Sequence, residues 1–98
     1  MIRHILLIQF NELAAASNIS LFFETLDSIT ERVEGIASIE WGVNNSKEGA
    51  NKGFTHCVTM TFINEAARDH YLPHEAHDEI KKLLGPLLSD MIIIDYSI

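Results

Sequence analysis

Ninety-eight residues suffice for one domain with a modest core. A hydrophobic content of 47% against 21% charged residues describes a folding chain rather than a disordered one. The net charge of −7, with no basic run longer than Lys81-Lys82, disfavours nucleic acid and anionic membrane surfaces as partners, because phosphate recognition needs clustered cations.

Ile2 to Phe10 reads as the first strand. Ile2, His4, Leu6, Ile8 and Phe10 fall on one face and Arg3, Ile5, Leu7 and Gln9 on the other, so the strand is apolar on both sides and needs cover on both. The stretch is too short to span a membrane and has no small-residue cleavage site after it, so a cytoplasmic location is the default expectation. Residues 17–34 carry a helical stripe of Ile19, Phe22, Phe23, Leu26, Ile29 and Val33, with Ser17 or Asn18 as its cap and Gly35 as its stop. Ile36 to Val43 reads as a strand, and the polar run 44–53 as a loop. Thr55 to Ile63 forms the third strand, with His56, Val58, Met60 and Phe62 on one face. The lone cysteine, Cys57, lies on the other face and has no partner for an intrachain disulfide; a buried apolar role suits it. Asn64 can cap a helix from Glu65, which Pro73 interrupts. A second helical piece covers about Glu75 to Leu84 and stops at Gly85-Pro86, and Met91 to Tyr96 is the last strand.

The order β-α-β-β-α-β predicts an α+β, ferredoxin-like domain over residues 1–98: a four-stranded antiparallel sheet with both helices on one face. The other face then lacks a cover. The simplest cover is a second copy of the chain, which predicts a homodimer.

The chemistry resides in the histidines, whose ordinary pKa lies near neutrality. His56, His70, His74 and His77 cluster in or beside Gly53-Phe54-Thr55-His56 and Tyr71-Leu72-Pro73-His74-Glu75-Ala76-His77, and His4 interrupts the first strand. Tyr71 and His77 flank a bend at Pro73, so a phenol and an imidazole can converge on one cavity as hydrogen-bond donor and base. The same two side chains can instead close the end of a small core as purely structural groups. His74 and His77, three apart, have metal-ligand spacing, but no third ligand falls beside them in a recognisable motif. No metal or other cofactor is expected. His4 and His56 share their faces with core residues and belong in or at the rim of the core.

Arg3-His4 before an apolar strand, Trp41-Gly42, Asn44, Ser46 and Glu48, Gly53-Phe54-Thr55-His56, Tyr71 with His74 and His77, and Asp95-Tyr96 together resemble the stress-responsive α/β-barrel (Dabb) family over residues 2–96. The resemblance implies a dimeric α+β barrel. It does not imply one activity: many members have no assigned reaction, while one plant member closes a linear polyketide by an intramolecular aldol reaction. By that resemblance His77 is the base, and Tyr71 holds and polarises the carbonyl. Leu6, Phe22, Leu26, Val58 and Ile80 form an apolar wall, with His4 and His56 close to the cavity. The function implied is binding or cyclisation of an aromatic or polyketide-like small molecule, and the alternative is a non-enzymatic stress-response protein with structural histidines. The chain departs from the family where Glu75 stands in place of a proline and Pro73 precedes His74.

Overall fold

The computed structural model describes residues 1–98. Four strands, β1 (Ile2–Phe10), β2 (Ile36–Val43), β3 (His56–Phe62) and β4 (Leu88–Ser97), and three helices, α1 (Ala16–Ser28), α2 (Glu65–Tyr71) and α3 (Glu75–Leu84), follow in the order β1-α1-β2-β3-α2-α3-β4. The strands form one antiparallel sheet in the order β2-β3-β1-β4. This is the expected α+β, ferredoxin-like arrangement, with the second helix divided at Pro73 into α2 and α3.

The alternation along β1 sets the layers. Ile2, His4, Leu6 and Ile8 are buried under the helices, and Val58, Met60 and Phe62 of β3 join them. Phe22, Phe23 and Leu26 of α1 and Ala76, Ile80 and Leu84 of α3 close the core from above. The apolar stripe of the first helix is buried as its spacing requires, but the helix itself is shorter than 17–34. It ends at Ser28 and tightens into one 3₁₀ turn, Ile29–Glu31, because the chain must reverse there to enter β2. Neither Ser17 nor Asn18 caps it. The N-cap is Ala15, which offers no side-chain hydrogen bond, so both polar residues lie inside the first turn. Asn64 does cap α2, its side chain accepting from the Ala67 N–H at 2.9 Å.

Two features of the sheet position the site. β4 is an edge strand with no fully buried residue, so the helices leave its inner face partly open. On the outer face, the half-buried Ile5 and Leu7 of β1 lie opposite Ile94 and Ile92 of β4, which are exposed. No helix is long and apolar enough to cross a membrane.

Candidate functional site between the paired helices and the edge strand

Tyr71 ends α2, and His77 lies in the first turn of α3. The bend at Pro73 folds these two positions together, with the aromatic ring centroids 4.6 Å apart. His74 forms the hinge: its backbone N–H donates to the Tyr71 carbonyl, and its ring Nδ1 accepts from the Ala76 N–H at 2.9 Å, capping α3. Glu75 occupies the first position of that helix. This position suits proline, whose missing N–H has no helical partner there, and it suits an acidic side chain equally, through the positive end of the helix dipole. The exchange of the family's proline for Glu75 is therefore absorbed at a helix start.

His77 Nδ1 lies 2.7 Å from the Leu72 carbonyl oxygen. A carbonyl only accepts, so Nδ1 carries the proton, and in the neutral ring Nε2 holds a lone pair. Tyr71 is only 1% exposed and packs against Phe62. Burial pushes its phenol up to about 12, so the hydroxyl remains protonated at neutral pH.

A second imidazole comes from the sheet. His4 on β1 is directly opposite Asp95 on β4, and its Nδ1 meets Asp95 Oδ1 at 2.6 Å. The other carboxylate oxygen takes a 3.2 Å hydrogen bond from Arg68 of α2, which also bonds Asp69. The carboxylate requires the proton on His4 Nδ1, so this ring too presents Nε2 as its free nitrogen in the neutral form.

These groups line one cavity of about 230 Å³. Of the residues singled out in the sequence, it brings together His4, Leu6, Phe22, Leu26, Val58, Tyr71, His77 and Ile80. It adds Met60, Leu72, Leu84, Met91, Ile93 and Asp95, which sequence reasoning had not placed in the site. The signal for the last three was the alternation Met91, Ile93, Asp95 along β4, legible only once that strand is known to border β1.

His56 is the exception. It faces the helices as its strand position requires, but it is opposite Ile8, four residues along β3 from Met60, the partner of His4. At roughly 3.4 Å per residue that displacement is about 14 Å. Its ring stacks on Phe23 and meets Phe10 edge-on, and burial lowers its pKa. It is therefore part of an aromatic cluster that includes Trp41, outside the Tyr71–His77 cavity. Another hollow, of about 320 Å³, is lined by His56, Leu7, Cys57 and amides of the loop, among them Asn44, Asn45 and Asn51. It lacks the paired phenol and imidazole. No group of three or more His, Cys, Asp or Glu is arranged to hold a metal ion, and the Nδ1 atoms of His74 and His77 are engaged with different backbone groups.

The model of the stress-responsive A/B barrel domain matches residues 2–98. The chain belongs to this family. Olivetolic acid cyclase from Cannabis sativa is 21% identical over 96 residues, covering 98% of this chain and 95% of that protein. The fold is similar to that of At3g17210 from Arabidopsis thaliana, with a TM-score of 0.93 and 26% identity over 100% of this chain and 95% of that one. It is similar also to hydroxynitrile lyase from Passiflora edulis, with a TM-score of 0.92 and 19% identity over 99% and 92%. A dimeric ferredoxin-like protein from Thermobifida fusca superimposes with a TM-score of 0.84 and 18% identity over 99% and 90%.

Proposed function

We propose that this Dabb-family protein is a homodimer that binds an aromatic or polyketide-like carbonyl compound in the Tyr71–His77 cavity and acts on it by acid–base chemistry. The observation that carries this reading is the His77 hydrogen bond to Leu72. It puts the proton on Nδ1 and leaves Nε2 as the basic nitrogen of a ring that lines the cavity, 4.6 Å ring-to-ring from a phenol that burial keeps neutral. His77 takes the acidic proton α to the carbonyl, and Tyr71 donates a hydrogen bond to the oxygen on which negative charge develops. After the new bond forms, the imidazolium returns the proton. Leu6, Phe22, Leu26, Val58 and Ile80 exclude water and hold the apolar part of the ligand. Similarity to a cyclase and a lyase, both named for bond-making or bond-breaking reactions, supports an enzyme over an inert scaffold.

The test begins with a panel of hydrophobic phenols and β-ketones, read by melting shift and by NMR titration. At least one class should raise the melting temperature of the native protein. For any compound turned over, His77→Ala should lower the rate by about 10²- to 10⁴-fold, as removal of a general base does. Tyr71→Phe separates this reading from a structural one. If the hydroxyl serves the ligand, its loss leaves stability unchanged or raised while turnover collapses; a sharp loss of stability would mean that the phenol is a structural group.

A further inference from the structure

The polar atoms that reach the cavity specify the ligand more narrowly than its apolar wall does. No side-chain nitrogen or oxygen is shut away from solvent-sized space without a hydrogen-bond partner. The Tyr71 hydroxyl and the Nε2 atoms of His4 and His77 have no hydrogen-bond partner in the protein, and all three residues line the cavity. The protein thus offers one donor, the phenol, and two acceptors, the imidazole nitrogens. It offers no cation. Arg68 is held by Asp69 and Asp95, and Asp95, itself part of the lining, brings negative charge.

The geometry points to an uncharged hydroxycarbonyl compound as the ligand, with its carbonyl on Tyr71 and its hydroxyl donating to His4 Nε2, and to the exclusion of carboxylates. His4 then determines specificity through a fixed tautomer, and Asp95 and Arg68 are positioning residues that act through it. The inference deepens the function proposed above and rests on it. A hydroxyl that finds its acceptor is preferred over an analogue that leaves His4 buried and unpaired. An anion entering beside Asp95, with no free cation to meet it, is disfavoured by repulsion and desolvation.

Acetophenone, 3- and 4-hydroxyacetophenone, their O-methyl ethers and the corresponding hydroxybenzoates, titrated by NMR at pH 7.5, separate the possibilities. The native protein should bind one of the hydroxyketones at least fivefold more tightly than acetophenone or the methyl ether, and at least tenfold more tightly than the hydroxybenzoate. In His4→Phe the preference for the hydroxyl, taken as the ratio of hydroxyketone to acetophenone affinity in that same variant, should shrink to within twofold. If no neutral ketone binds, the proposed function fails and this inference with it. If ketones bind without a hydroxyl preference, if the preference survives in His4→Phe, or if the carboxylate binds best, this inference alone is overturned. A readout that needs neither ligand nor variant is the ¹⁵N–¹H spectrum of the imidazole rings. It should show the proton of the neutral His4 ring on Nδ1, and a neutral ring protonated on Nε2 instead would overturn the assignment.

Discussion

Tyr71 and His56 show how position in the fold, rather than residue type, sets a titrating group's behaviour. The buried phenol of Tyr71 is held at about 12, against an ordinary value of roughly 10. Its folded-state pKa is raised, so its contribution to stability is fully present below pH 10 and is lost as pH rises toward 12, where the unfolded chain ionises more readily. Over that window the native protein should lose about 2 to 3 kcal/mol that Tyr71→Phe does not lose, measured as the difference between their urea midpoints from pH 9 to pH 12. His56 runs the other way. Desolvation lowers its pKa, so its contribution is present above the ordinary imidazole value and is lost as pH falls below it, where the unfolded chain takes up the proton first. His56→Phe should therefore flatten the decline in stability between pH 7 and pH 5, and an unchanged slope would show that this ring is not the group responsible. His4 and His77 are read through hydrogen bonds, because a carboxylate and a carbonyl each dictate which nitrogen carries the proton.

Among the elements, the break between α2 and α3 does most to create the site. An uninterrupted helix would turn Tyr71 and His77, six residues apart, through some 600° and separate them by about 9 Å along its axis. Pro73 and the His74 cap instead fold the two rings into contact. The connection leading into β2 is equally constrained. Gly35 has a φ of +89°, and a Cβ placed on it would lie 2.6 Å from the Cβ of Ala67 on α2. Gly35→Ala must therefore both strain the backbone and displace α2, and should destabilise the protein by about 2 kcal/mol or more in chemical denaturation. Because α2 carries Arg68 and Tyr71, ligand binding should weaken along with stability. A variant as stable as the native protein would show that α2 moves freely at this point.

At the scale of the molecule, the uncovered sheet face governs. Ile5, Leu7, Ile92 and Ile94 form an apolar patch across β1 and β4, and Ile94 is 57% exposed in the single chain. A contiguous exposed patch on two neighbouring strands is the kind of surface that pairing removes from water. The homodimer proposed here uses it sheet to sheet. Ile94→Lys should convert the protein to a monomer by analytical ultracentrifugation at micromolar concentration. A native protein that sediments as a monomer at that concentration would sink the dimer. The charge should leave the cavity in place, since Ile94 points away from the face that carries Ile93 and Asp95.

Much of this was legible in the chain. Strong two- and 3.6-residue periodicities, together with Pro73, Gly35 and the polar run 44–53, determine the order of elements, which face of each is buried, and the pairing of Tyr71 with His77 across a proline bend. These properties are local, because alternation and turn chemistry act within a few residues of one another. Contacts across the sheet are not local. Asp95 meets His4 only because β4 borders β1 in one register, Arg68 joins them only because α2 lies above that edge, and His56 departs from the cavity because its place along β3 is set by pairing with Ile8. A strand's faces can be read from its own residues, but which residue of the next strand stands opposite depends on hydrogen bonds between segments far apart in the sequence, 48 residues for Ile8 and His56. That register, decided only in the tertiary structure, determines which imidazoles share the site and which tautomer His4 adopts.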